Sequence, residues 1–218
     1  MEQEYLSFVS STYWKSNFPE NWQETRRLLT EKYNDLLYQL NQGESDKFEN
    51  EDEKQLFIKI IEQRIKSLNR KNTNEFRDKI MADNLVWLLE EMFPDEKFII
   101  WGHNVHIMKN RSIIKIDPYE PFKNMVENLP EEIKEQSYIV GLYMYSGKNT
   151  DNDRKIYDIS TEHKTNSIEY HLNQPGYSVS FLNIDIEDDE KNTYWWNAEA
   201  TSQLWGANEE TFIPSEQY

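Results

Sequence analysis

Two of the chain's four histidines, His103 and His106, stand three residues apart in the stretch WGHNVHI at 101–107. An imidazole takes up or releases a proton near neutral pH, because its ordinary pKa is about 6.5. Two of them within one turn can polarise a substrate carbonyl, orient a water, or shuttle a proton to a leaving alcohol. The same side chains can instead close a turn, each bonded to a backbone carbonyl. A zinc site is a third reading, but HNVH lacks the Glu and the i, i+4 spacing of a metalloprotease helix. A further ligand would have to come from His163 or His171.

The residues before the pair set its surroundings. Phe98, Ile99, Ile100 and Trp101 form an apolar run without polar alternation, the texture of a strand covered on both faces. In open α/β sheets the carboxyl ends of such strands border the crevice where ligands bind. Two imidazoles at that position favour a functional role over turn closure.

Three helices account for most of the chain before residue 95. Leu29, Tyr33, Leu36, Leu37 and Leu40 recur at helical spacing after Trp22, with Asn21 and Glu24 as a capping pair and Gly43 as the stop. A second stripe runs through Leu56, Phe57, Ile60, Ile61, Ile65 and Leu68. A third runs through Phe76, Ile80, Met81, Leu85, Leu88 and Met92, with Asn74 as its cap and Pro94 beyond its end. From Lys97 short apolar runs bounded by turn residues alternate with short helical patterns. They predict strands near 97–102, 138–145, 154–159 and 177–184, and helices near 120–128 and 166–173. The fold class is thus α/β: a helical segment over 1–95, then a mainly parallel sheet with helical crossovers over 96–218, in one domain spanning 1–218. The acidic run DIEDDE at 185–190 reads as an exposed loop. Tyr194, Trp195, Trp196 and Trp205 form an aromatic group that packs as core or lid, or lines a ligand pocket.

Composition removes several function classes. Aromatic residues make up 14% of the chain, enough to build a core. A formal net charge of −16 opposes any approach to a phosphate backbone, so nucleic acid is not an expected partner. With no cysteine there is no disulfide, thiolate metal site or cysteine nucleophile. Neither a glycine-rich phosphate loop nor a G-x-S-x-G nucleophile elbow is present, so no cofactor and no acyl-serine are expected. The N-terminal MEQEYLSFVSS has no basic-then-apolar block and no run spans a bilayer, which suggests a cytoplasmic protein without a membrane partner.

Taken together, residues 77–107, RDKIMADNLVWLLEEMFPDEKFIIWGHNVHI, resemble the erythromycin esterase family. Arg77, Asp78, Met81, Ala82, Asn84, Trp87, Trp101, His103, Asn104 and His106 match its Arg-Asp, Met-Ala-x-Asn and Trp-(Ala/Gly)-His-Asn-x-His pattern in order and approximate spacing. The helices before Arg77 look like the family's helical insertion, and the later strands, SIEYHL, the Trp-rich segment and FIPSEQY look like its C-terminal half.

The resemblance implies hydrolysis of a small-molecule ester or lactone by activated water, in the best-known members the lactone of macrolide antibiotics, with antibiotic resistance as the consequence. It places His103 and His106 in the polar cluster that binds and polarises substrate, with Arg77, Asp78, Asn84, Trp101 and Asn104 binding or supporting, and no metal. Family members carry the general base on a further histidine in an N-terminal segment, and no histidine precedes residue 103 here. The expectation is therefore the C-terminal part of a family protein, with little activity alone and a tendency to associate with itself or with the missing N-terminal half. A sheet lacking its first strands leaves unpaired edges and apolar faces exposed.

Overall fold

The computed structural model describes residues 1–12, 20–42, 48–69, 74–114, 120–150, 154–184, 194–204 and 208–218. The three predicted stripes form α2 (Trp22–Asn41), α3 (Glu51–Asn69) and α4 (Asn74–Trp87), the last running on into a π turn at Leu88–Met92. Leu29 and Tyr33 of α2 meet Ile61 and Leu68 of α3 in one apolar cluster. Each such side chain removed from water stabilises the pair by about 1.5–3 kcal/mol.

A fourth helix, α1 (Glu2–Thr12), precedes them and was not legible as a stripe. Its anchor is Tyr5, whose ring meets Tyr33 edge-on at 5.9 Å. Glu2 accepts from the Tyr33 hydroxyl at 2.9 Å and from Arg64 at 2.8 Å, so polar tethers do much of the docking.

Two capping expectations are corrected. Asn21 makes no side-chain cap bond to α2, and Glu24 turns instead to Arg27, at 2.7 and 3.0 Å. Asn74 is the first residue of α4 rather than a cap outside it. Gly43, the acidic run at 185–190 and Trp205 lie outside the described residues.

The second half is α/β, but its sheets are small and antiparallel. β1 (Gly147–Thr150) pairs with β2 (Ile156–Ile159), and β3 (Ala200–Leu204) pairs with β4 (Asn208–Phe212). The expected mainly parallel sheet is not found. Among the described residues, 97–102, 138–145 and 177–184 enter no strand ladder, and of the four predicted strands only 154–159 is one, as β2. Apolar runs show that a segment seeks burial; a parallel strand also needs neighbours that satisfy both its edges. The helix expected over 120–128 is reduced to a 3-10 turn at Val126–Asn128.

Short helices complete this half: α5 (Asn104–Ile107), α6 (Glu131–Glu135), α7 (Ile168–Asn173) and α8 (Pro214–Gln217). α7 fulfils the expectation for 166–173; the Ser167 hydroxyl accepts from Tyr170 N at 3.1 Å, and Gly176 beyond its end adopts φ +74°. The core here joins Val105, which lies between the two histidines, and Met108, just after them, to Ile168, Ala200 and Phe212. No helix among the described residues is long and apolar enough to cross a membrane.

Candidate active site

α4 supplies the foundation. Asp78, Ala82 and Leu85 fall at i, i+4 and i+7 and are all buried, so Asp78 sits on the apolar stripe of its helix. A carboxylate in that setting requires partners. Asp78, with no exposed surface, accepts from His106 Nδ1 at 2.7 Å and from Met125 N at 3.1 Å through the same Oδ2. Arg77, the neighbouring residue, has its Nε 3.5 Å from Asp78 Oδ1 and its Nη2 2.8 Å from His106 Nε2.

The roles in this chain follow from chemistry. A guanidinium only donates, so His106 Nε2 must accept, and its Nδ1–H donates to Asp78. His106 is therefore the neutral Nδ1–H tautomer, clamped between a carboxylate and a guanidinium. Its other ring nitrogen is engaged by Arg77 in this state.

His103 has a different position. It caps α5, its Nδ1 accepting from Val105 N at 3.2 Å, which places its ring proton on Nε2. Protein crowding against the ring, and secondarily the closeness of His106, push its pKa down to about 4. His103 nevertheless keeps an exposed surface, which moderates a burial effect. The His103 imidazole is neutral near pH 7.

The backbone carrying both histidines is held from two sides. Asn104, itself buried, donates to Leu142 O at 2.9 Å and accepts from Leu142 N at 3.0 Å, tying α5 to the 138–144 segment. Asn124, also buried, donates to Val105 O at 2.9 Å and Met108 O at 2.8 Å. Sequence reasoning missed Asn124, because nothing in KNMV distinguishes a clamp from an ordinary polar residue. Asp78 did carry a signal: an acid on the apolar stripe of a helix.

The remaining predicted residues lie outside the hydrogen-bonded core of the site. Asn84 is half-buried on α4, with its Oδ1 lacking a hydrogen-bond partner. Trp101 is 84% exposed. His163 contacts Tyr145 O at 2.6 Å and His171 stacks on Trp195 at 4.4 Å, so neither joins the pair. No group of three or more His, Asp or Glu among the described residues is gathered to hold a metal ion. Tyr194 stacks on Trp196, Trp195 meets Trp196 edge-on, and Trp195 packs against the core.

A second polar group is buried away from the histidines. Glu210 on β4 accepts from Ser202 on β3 at 3.2 Å, and burial pushes its pKa up to about 7 despite that bond and the Arg111 cation. Tyr143 and Tyr218 share a hydroxyl–hydroxyl bond of 2.7 Å nearby, and burial raises both phenols.

A family model for Erythromycin esterase matches residues 5–218. The chain belongs to the erythromycin esterase family. The curated protein "Putative hydrolase YbfO" of Bacillus subtilis (strain 168) is 32% identical over 145 residues, 65% of this chain and 32% of that protein. This erythromycin esterase family chain thus spans about a third of that relative's length. No solved structure matches it significantly.

Proposed function

We propose that the chain contributes the electrophilic half of a site that hydrolyses a carboxylic ester or lactone with activated water. The supporting observation is the Asp78–His106–Arg77 relay, with its 2.7 and 2.8 Å bonds. Asp78 fixes the imidazole, the imidazole fixes the guanidinium, and Arg77 keeps further N–H donors for a substrate carbonyl. The neutral His103, with its proton on Nε2, is a second donor on the same short segment. Donors preorganised where negative charge develops stabilise a tetrahedral oxyanion, an effect worth about 2.7–4 kcal/mol per donor. In the reaction, water oxygen bonds to the acyl carbon and loses a proton to a base, the oxyanion collapses, and the C–O bond to the alcohol breaks as the alcohol is protonated. A macrolide lactone is the substrate class that the family's description suggests.

The engagement of His106 Nε2 by Arg77 favours a second reading, a chain that turns over no ester alone. The nitrogen that would take a proton from water is occupied, so the base must come from another segment. The test assays p-nitrophenyl butyrate and erythromycin hydrolysis by the 218-residue chain, alone and mixed with the part of YbfO outside the shared stretch. Turnover that falls about 100-fold or more in His106→Ala and in Arg77→Met supports the proposal. Turnover untouched by both substitutions refutes it, and none in either arrangement leaves the second reading.

A further inference from the structure

Residues 124–128, which end in the 3-10 turn at Val126–Asn128, are too few to owe their shape to helical propensity, yet they meet both halves of the candidate site. Toward α5, Asn124 donates to Val105 O at 2.9 Å and to Met108 O at 2.8 Å. Toward α4, Met125 N donates to Asp78 Oδ2 at 3.1 Å. The turn thus braces from two sides the 2.7 Å contact between Asp78 and His106.

Glu127 closes this turn. Asn124 and Glu127 stand three apart, as in a capping box, and bond reciprocally: Glu127 N donates to Asn124 Oδ1 at 3.0 Å, and Asn124 N to Glu127 Oε2 at 3.2 Å. An ordinary capping box spends both side chains on their own helix. Here each has a second use. The Asn124 amide group goes to α5, and the half-buried Glu127 carboxylate accepts from Ser112 N at 3.0 Å and from the Ser112 hydroxyl. Ser112 belongs to a separate 3-10 turn, Arg111–Ile113, so Glu127 ties the brace to a second piece of backbone.

Two simpler accounts compete. Met125, Val126 and Leu129 pack with Ala82 and Leu85 of α4, an apolar contact that needs no Glu127. Apolar burial is non-directional, however, and does not select which side of the turn faces α5. The other account is charge: the buried Arg111 guanidinium is attracted by Glu210, Glu127 and Asp78. Such attraction falls off slowly with distance and tolerates a shift of one methylene, whereas hydrogen bonds do not.

We propose that Glu127 is a positioning residue for the Asp78–His106 contact, acting through the donors it binds on Ser112 and Asn124. Glu127 bears on catalysis only through the ester-hydrolysis reading given above, whereas the bracing stands without it.

The test reads the His106 ring nitrogens by NMR in the 218-residue chain alone, with exchange of the His106 Nδ1 proton and the Met125 amide. It needs no turnover, so positioning and hydrolysis fail or succeed separately. Glu127→Ala removes every bond the carboxylate accepts; the expected result is a moved Nδ1 shift and both exchanges faster by about tenfold or more. Glu127→Gln keeps an oxygen for Ser112 N and Asn124 N, and its amide donates to the Ser112 hydroxyl, so the native signature is retained. Glu127→Asp keeps the charge but withdraws the carboxylate by one methylene, so it behaves like Glu127→Ala and carries the same reading if that variant does not fold. Ile133→Ala loosens the same apolar cluster without touching the hydrogen bonds of Glu127, so it lowers stability and leaves the signature native. Three results overturn the proposal: a native signature in Glu127→Ala or Glu127→Asp, its loss in Glu127→Gln, or the same change in Ile133→Ala as in Glu127→Ala.

Discussion

Replacing Asp78 by Asn tests the tautomer on which the candidate site is built. Asp78 Oδ2 receives two donors, His106 Nδ1 at 2.7 Å and Met125 N at 3.1 Å, in a position closed to solvent. An amide there has two choices. With its oxygen toward both donors the geometry survives, but a charge-assisted bond worth about 1.5–3 kcal/mol becomes a neutral one worth about 1. With its nitrogen toward His106 it donates to Nδ1 and drives the ring proton to Nε2, where it meets Arg77 Nη2 head-on at 2.8 Å. Two opposed donors cannot remain at that distance, and an unsatisfied buried donor costs about 1–3 kcal/mol more. Removing a buried charge offsets part of either loss. The expected destabilisation is about 0.5–2 kcal/mol in the first arrangement and about 2–4 kcal/mol in the second, read as a lower urea midpoint at unchanged slope. Ring nitrogen shifts should show Nδ1–H for His106 in the native chain; in D78N they should show Nδ1–H retained where the amide oxygen faces the ring, and Nε2–H or displacement of Arg77 where its nitrogen does. A native chain that carries the proton on Nε2, or a D78N variant within about 0.5 kcal/mol of it, would refute the reasoning.

Two further perturbations probe the groups around the site. Burial raises Glu210 from 4.5 to about 7, so the folded state holds its proton more tightly than the unfolded state does. Stability from this residue is therefore complete below about pH 4.5, is lost as pH rises through about 7, and changes no further above that. Glu210→Gln should flatten that decline and gain on the native chain by up to about 3 kcal/mol at pH 8 relative to pH 4, checked by urea unfolding at both; equal pH slopes would count against a raised pKa. Asn124→Ala leaves the carbonyls of Val105 and Met108 without their donor, so a loss of about 2–4 kcal/mol is expected, with faster amide exchange across α5. An unperturbed α5 would show that Asn124 is not its clamp.

Legibility followed the range of the interactions. The stripes of α2, α3 and α4 were readable because helical burial repeats within a few residues, and α7 because Ser167 caps it locally. α1 was not, since Tyr5 and ion pairs reaching Arg64 and Lys32 dock it. The hairpin strands β1, β3 and β4 are short and partly polar, GKNT, ATSQL and NEETF, and give no apolar run to find. The runs at 97–102, 138–145 and 177–184 were read as strands of one parallel sheet, yet periodicity reports a buried face and says nothing about which segment lies alongside.

The sequence by itself determined the family, through residues 77–107, the exclusion of cysteine chemistry, and the nearness of two imidazoles. It could not divide their labour. His103 and His106 are one turn apart and chemically identical, but the first faces the backbone amide of Val105 and the second faces α4. Only the packing of α4 against α5 decides that difference. A buried carboxylate 28 positions earlier in the chain captures one ring nitrogen, its neighbouring arginine captures the other, and hydrogen bonds between residues so far apart leave no trace in local spacing.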